Sequence, residues 1–234
     1  MSRMPIACMI CLTISINIVA KETETVAPES DFKSLFDGKQ LDGWSGNLDM
    51  FRIQDESIVG GSMDNKVPNN EFLTFKTEFK NFELRLQAKL IGEGGNAGIQ
   101  IRSRRATKEE IESKEKGKHI PKHEMVGYQV DMGKAWKKVW WGKLYDESRR
   151  RKVLAGPEDD EALEKLVKFN EWNEYRILCE GPRIRIWLNG EMTVDYQEME
   201  ENIADSGLIG LQIHGGPPSE AWYRQIRIRE IKQQ

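Results

Sequence analysis

The chain has 234 residues, of which 31% are charged and 38% hydrophobic, with a formal net charge of −3. That length suits one large β domain or two small ones, and the composition is that of a globular rather than a disordered chain. A slightly acidic balance with no basic tail gives no attraction to nucleic acid or to anionic membrane surfaces.

The N-terminus differs from everything after it. Met1-Ser-Arg-Met4 is positive, Pro5 to Ala20 is apolar, and Lys21-Glu-Thr-Glu24 turns abruptly polar. A basic start, a short apolar run and a small closing residue read as a secretory signal peptide over residues 1–20, cleaved after Ala20. A polar linker over 21–30 and one domain over 31–234 follow. The run is shorter than the roughly 20 apolar residues of a membrane-spanning helix, so no stable span is expected after leader removal. The mature protein is expected in the periplasm or outside the cell. Cys8 and Cys11 leave with the leader, and Cys179 remains alone, so the domain is held by its core rather than by a disulfide. Cys179 shares strand parity with Tyr175 and Ile177, which reads as a packing position rather than a reactive thiol.

Phe32, Leu35 and Phe36 open the domain, with turns at Asp37-Gly38 and Asp42-Gly43. Over Phe82 to Leu90 the apolar residues fall on alternate positions, the pattern of a half-buried strand. Further strands are expected over Ala97 to Ser103, Gly127 to Met132, Asn173 to Glu180, Ile184 to Leu188, Leu208 to His214 and Trp222 to Ile231. Asn189-Gly190 between two of them supplies the positive-φ pair of a tight hairpin. Two stretches break the pattern: a charged excursion from Arg104 to Met125, and Asp159 to Phe169, whose Ala162, Leu163, Leu166 and Val167 have helical spacing. Many short strands and Gly-rich turns indicate an all-β sandwich of antiparallel sheets with short helical insertions.

Strand parity marks a polar face. Asn96, Gln100 and Arg102 oppose Ala97, Ile99 and Ile101; Gln129 and Asp131 oppose Tyr128, Val130 and Met132; Gln212 and His214 oppose Leu211 and Ile213. A merely solvated face is usually Lys, Glu and Thr, whereas amides, an acid, a guanidinium and an imidazole make directional hydrogen bonds to hydroxyls. Trp136, Trp140, Trp141 and Tyr145 lie between the second and third of these strands, and aromatic planes stack on sugar C–H faces. His214 precedes a side-chain-poor Gly215-Gly-Pro-Pro218 turn that lets a ligand approach the backbone. A sugar-binding face is the expectation.

At these motifs the chain resembles the 3-keto-disaccharide hydrolase domain family. The resemblance covers roughly Phe32 to Ile231. It is carried by Ser34-Leu-Phe-Asp-Gly-Lys39, Leu41-Asp-Gly-Trp44, Asn96-Ala-Gly-Ile-Gln-Ile-Arg-Ser103, Gly127-Tyr-Gln-Val-Asp131, Trp141-Gly-Lys-Leu-Tyr-Asp-Glu147, Trp172-Asn-Glu-Tyr-Arg176, Trp187-Leu-Asn-Gly190 and Gly210-Leu-Gln-Ile-His-Gly-Gly-Pro-Pro218. The charged insertion after Arg105 and the acidic stretch after Pro157 depart from it. The resemblance implies a concanavalin A-like jelly-roll fold and cleavage of glycosides oxidised to a ketone at C3. Such a ketone acidifies the C2 proton, so the C1 substituent can leave by elimination, with water then adding. That route needs a base, an electrophile at the ketone oxygen and an acid at the leaving oxygen. Arg102, His214 and Asp131 are the right types for electrophile, base or acid, and orienting group, and a divalent metal could replace Arg102. Asn96, Gln100, Gln129, Gln212, Trp140, Trp141, Tyr145 and Glu147 are the expected substrate contacts. Two other readings stand beside this one: an ordinary glycosidase using two of Asp131, Asp146 and Glu147, and a non-catalytic lectin-like module. The His119/His123 pair has zinc-like spacing, but Pro121 between them disfavours the helix it would need.

Overall fold

A computed structural model describes residues 27–113, 120–135 and 137–232. The leader, its cleavage point, Trp136 and His119 lie outside the described residues. The strands are β1 (Lys33–Ser34), β2 (Trp44–Gly46), β3 (Phe51–Gln54), β4 (Ser57–Ser62), β5 (Glu71–Phe75), β6 (Phe82–Ile91), β7 (Asn96–Arg105), β8 (Met125–Ala135), β9 (Lys138–Val139) and β10 (Leu144–Glu147). They continue with β11 (Val153–Ala155), β12 (Asn173–Glu180), β13 (Arg183–Leu188), β14 (Glu191–Gln197), β15 (Leu208–Ile213) and β16 (Ser219–Glu230). Two short helices, α1 (Lys108–Glu112) and α2 (Asp160–Leu166), sit in the two stretches where strand periodicity fails.

The strands form two antiparallel sheets. The first runs β14-β13-β12-β6-β16-β4-β3 with β1 on β16; the second runs β11-β10-β8-β7-β15-β5-β2 with β9 on β8. Period-2 alternation explains the sandwich between them. Leu84, Leu86, Ile177 and Tyr223 of the first sheet are buried against Ile99, Val130, Met132 and Leu211 of the second. Both sheets bury one apolar face in a common core, so this is the all-β sandwich that the turn and strand pattern indicated. Among the described residues no helix is long and apolar enough to cross a membrane.

Local chemistry explains the details. Asn189 (φ 49°) and Gly190 (φ 90°) make the expected tight turn between β13 and β14. The Asp159 carboxylate caps α2 by accepting from the Glu161 and Ala162 amides, and Leu163 anchors the helix to the core. Thr107 and Glu110 form a reciprocal capping box on α1.

Two buried tyrosines of the first sheet reach across to the backbone of the second. Tyr223 donates to the Gln212 carbonyl at 2.6 Å, and Tyr175 donates to the Asp131 carbonyl at 2.9 Å. Each fixes a strand at a residue of the polar face on its far side. Cys179 is fully buried among them, and burial pushes its thiol up to about 12. Cys179→Ala is therefore expected to keep any activity while costing about 1 kcal/mol of stability. Native Cys179 should resist alkylation at pH 8. Rapid labelling of the folded protein would show the residue is not core.

Candidate functional site

Directly paired residues of an antiparallel ladder point to the same face. In the second sheet Gln212 pairs Gly98, which pairs Asp131; Gly210 pairs Gln100, which pairs Gln129, which pairs Tyr145. Glu147 lies two residues beyond Tyr145 on β10, on that same face. Parity thus sets Gln100, Gln129, Asp131, Tyr145, Glu147 and Gln212 on one side of four adjacent strands.

A hydrogen-bond relay runs across them. Ser103 Oγ donates to Gln100 Oε1 at 2.6 Å, and Gln100 Nε2 donates to Gln129 Oε1 at 2.8 Å. Gln129 Nε2 then donates to Asp131 Oδ1 at 2.8 Å, with Glu147 Oε2 at 3.4 Å. Gly98 makes room for it: a Cβ there would stand 2.6 Å from the Gln129 side chain. Because each amide donates in the same direction, the relay ends as a donor to carboxyl oxygen and leaves Asp131 Oδ2 for other work.

The relay opens into a cleft of about 130 Å³ lined by Asn96, Gln129, Asp131, Trp140, Tyr145, Glu147 and His214. That is below the roughly 300–1,000 Å³ of sites for drug-sized ligands, so it suits one ring rather than an extended chain. Asp131 is almost wholly buried, and desolvation raises its carboxyl well above the usual range, aided by the nearby Glu147 charge and opposed by the Gln129 hydrogen bond. Burial also raises Glu147, with His214 and the Ser148 amide pulling the other way. The two carboxyls therefore compete for one negative charge, and the more buried Asp131 is the better proton holder.

His214 follows β15 and its amide donates to the Asn96 carbonyl at 3.1 Å. Its Nδ1 is 2.7 Å from the Gly215 carbonyl oxygen, which can only accept. Nδ1 must carry the hydrogen, so in the neutral ring the lone pair sits on Nε2. The Trp140 indole donates to the Ala135 carbonyl at 3.2 Å, which fixes that wall.

Several expected site residues go elsewhere. The register of β7 on β8 shifts between Ile101 and Arg104, and Arg102 adopts φ 46°. This bulge reverses parity, so Arg102 leaves the polar face. Its guanidinium donates to the carbonyls of Lys80 and Gly181 and to Asn81 Oδ1. The expectation that Arg102 acts with Asp131 and His214 is thereby corrected, and Ser103 takes its place beside Gln100. Trp141 is not a cleft wall either; it is 1% exposed and stacked on Tyr175 in the core. Gln100 and Gln212 face the right way but are fully buried, so they support the cleft floor instead of lining it. Asp146, considered as one of a carboxylate pair, pairs Tyr128 on the opposite face and is held by Arg149 and Arg150. His123 is committed to Glu71 at 2.7 Å. Among the described residues no group of three or more His, Cys, Asp or Glu side chains is arranged to hold a metal ion.

Two polar residues beside the cleft escape the parity reading. Glu124 is 1% exposed, and desolvation followed by the Glu147 charge pushes its carboxyl up to about 8. Asn70 donates to Glu124 Oε2 at 3.4 Å and accepts from the Gly215 amide at 3.0 Å, tying Glu124 to the turn after His214. Both residues precede strands, in turns where alternation has no force. The Glu124 amide donates to the Pro121 carbonyl, so Pro121 was the available signal of that turn.

The model of one protein family, described as a 3-keto-alpha-glucoside-1,2-lyase-like domain, matches residues 31–229. Among curated proteins none matches the sequence. Solved structures with the same fold include two proteins from Parabacteroides distasonis provisionally assigned as glycosyl hydrolases. One is 18% identical with TM-score 0.56, covering 88% of this chain and 99% of its own. The other is 22% identical with TM-score 0.55, covering 86% and 99%. A carbohydrate-binding module, CBM66 from Bacillus subtilis, is 16% identical with TM-score 0.56, covering 80% and 96%. At such identities these likenesses show the fold alone.

Proposed function

Because the chain belongs to the 3-keto-alpha-glucoside-1,2-lyase-like domain family, we propose that it is an exported enzyme cleaving glycosides that carry a ketone at C3. The observation that carries this reading is the convergence of Asp131, Glu147 and His214 on one small cleft walled by Trp140 and Tyr145. A C3 ketone makes the C2 hydrogen acidic, so the chemistry needs one base and one acid on a single ring, and the cleft offers both.

In this mechanism His214 Nε2 takes the C2 proton, and the electron pair left on C2 delocalises to the ketone as an enolate. Glu147, set against His214, stabilises the imidazolium so formed. The C1–O bond then breaks as the C1=C2 bond forms, and Asp131, protonated because it is buried, delivers its proton from Oδ2 to the leaving oxygen. The product is an unsaturated ketone and a free alcohol. For hydration, Asp131 takes a proton from water as the oxygen adds to C1, and the imidazolium returns its proton to C2. Both groups end as they began. Asn96 and Tyr145 supply polar contacts to ring hydroxyls, and Trp140 a flat wall.

The test is incubation of purified protein with matched glucosides and their 3-keto forms, with and without chelator. Cleavage confined to the keto substrate is the expected result. Equal cleavage of plain glucosides would favour two-carboxylate hydrolysis, and binding without turnover would favour a non-catalytic lectin-like module. Loss of activity with chelator would add a divalent metal as the electrophile. Export rests on the basic and apolar start of the chain, and N-terminal sequencing of native protein should begin near Lys21.

A further inference from the structure

Glu124 is a buried carboxyl that the proposed chemistry does not use. Among the described residues its side chain takes one long hydrogen bond, from Asn70 at 3.4 Å, and Oε1 is buried without a donor. It forms no ion pair among the described residues. The groups around it come from three segments. From the stretch before β5 come Asn70 and Glu71, the latter engaged by His123 at 2.7 Å. From β10 and the turn after it come Glu147, Ser148 and Arg151, of which Glu147 raises the Glu124 carboxyl and the other two lower it. Among the described residues of its own segment stands His123, already held by Glu71.

An ionised carboxylate in that place would need two or more donors or an adjacent cation to offset lost hydration. One weak amide donor and an orphaned oxygen do not meet that need, and the pull of Ser148 and Arg151 is outweighed by burial and the Glu147 charge. A protonated carboxyl suffers far less, and it removes repulsion with Glu147. Resting on the function proposed above, we infer that Glu124 is a positioning residue of the site, a carboxyl that keeps its proton beside a charged Glu147 so that a single negative charge faces His214. Ionisation of Glu124 in alkali would then set a second charge against Glu147. Asn70 carries the same segment's position to the Gly215 amide, so the state of Glu124 is felt at the turn that holds His214.

The decisive measurement reads ionisation directly and needs no substrate. In protein with carbon-13-labelled glutamate carboxyls, one resonance should titrate with a midpoint of about 8. That resonance should be absent from Glu124→Gln. In Glu147→Gln its midpoint should fall toward the ordinary carboxylate range, because the neighbouring charge is gone. A Glu124 resonance titrating with the exposed glutamates, or one unmoved by Glu147→Gln, would overturn the inference. Should the 3-keto-glycoside activity fail to appear, these titrations still decide the matter of Glu124. If it does appear, the alkaline limb of turnover in Glu124→Gln should shift to higher pH, and a limb superimposable on the parent's would count against the role.

Discussion

Asp131→Asn is expected to reduce turnover of a 3-keto glycoside by at least about a hundredfold while leaving the fold intact, the size typical of losing a general acid. The residue is almost wholly buried, and desolvation dominates its raised carboxyl, so the fold favours its neutral form, which accepts from Gln129 through Oδ1. Asparagine is neutral and of the same shape, and its amide oxygen can still accept from Gln129. Only the transferable proton is lost. His214→Ala should be equally damaging, since it removes the base and frees the turn that its Nδ1 hydrogen bond to Gly215 holds. Near-full activity in both variants would place the chemistry elsewhere.

The same groups fix the sign of the pH response. The working form has Glu147 charged and Asp131 protonated. Turnover should fall as pH drops through the raised Glu147 value and again as pH climbs through the raised Glu124 and Asp131 values, giving a bell. Stability runs one way only. Asp131, Glu147 and Glu124 all bind protons more tightly folded than unfolded, so their contribution is complete below the usual carboxylate range. It is lost as pH rises through the folded values, for Glu124 between about 4.5 and about 8. Thermal midpoints should decline over that window, and the decline should be shallower in Asp131→Asn.

Parity reached as far as regular backbone allows. Alternation over Phe82 to Leu90 located β6, and Asn189-Gly190 located its hairpin, because both depend on nearest-neighbour geometry alone. The same logic put Gln129, Asp131, Gln100 and Gln212 on one face, which pairing confirms. It fails where a residue is inserted or a turn intervenes. Arg102 was carried off the face by the bulge after Ile101, and a bulge leaves no mark in an Ile-Arg-Ser-Arg run. Trp140 and Trp141 are chemically identical in sequence, yet the indole of one walls the cleft and that of the other stacks on Tyr175. Only the pairing of the two sheets separates them. Glu124 was hidden for a third reason, since a charged, lysine-rich excursion gives no hint that one of its acids is buried.

Arg102→Ala should then show the opposite signature to Asp131→Asn: a large loss of stability and little change in turnover per folded molecule. The guanidinium spans both sheets. From the β7 bulge its Nε donates to the Lys80 carbonyl at 2.8 Å, one terminal nitrogen donates to the Gly181 carbonyl at 2.6 Å, and the other donates to Lys80 and to Asn81. Asn81 Oδ1 also accepts from the Gly181 amide at 2.8 Å, so one fork locks the entry to β6 and the turn between β12 and β13. Hydrogen bonds to a charged donor contribute roughly 1.5–3 kcal/mol each, and carbonyls left partly buried add to the cost. A loss of about 3–5 kcal/mol follows for the alanine variant, read as a fall in the denaturation midpoint. Arg102→Lys should rescue little of it, because an ammonium cannot present a planar fork to three acceptors. Arg102→Gly separates the backbone from the side chain: glycine tolerates φ 46° without strain and should recover about 0.5–1 kcal/mol relative to alanine. An Arg102→Ala protein that melts like its parent but no longer turns over substrate would return this arginine to the cleft and remove the bulge argument altogether.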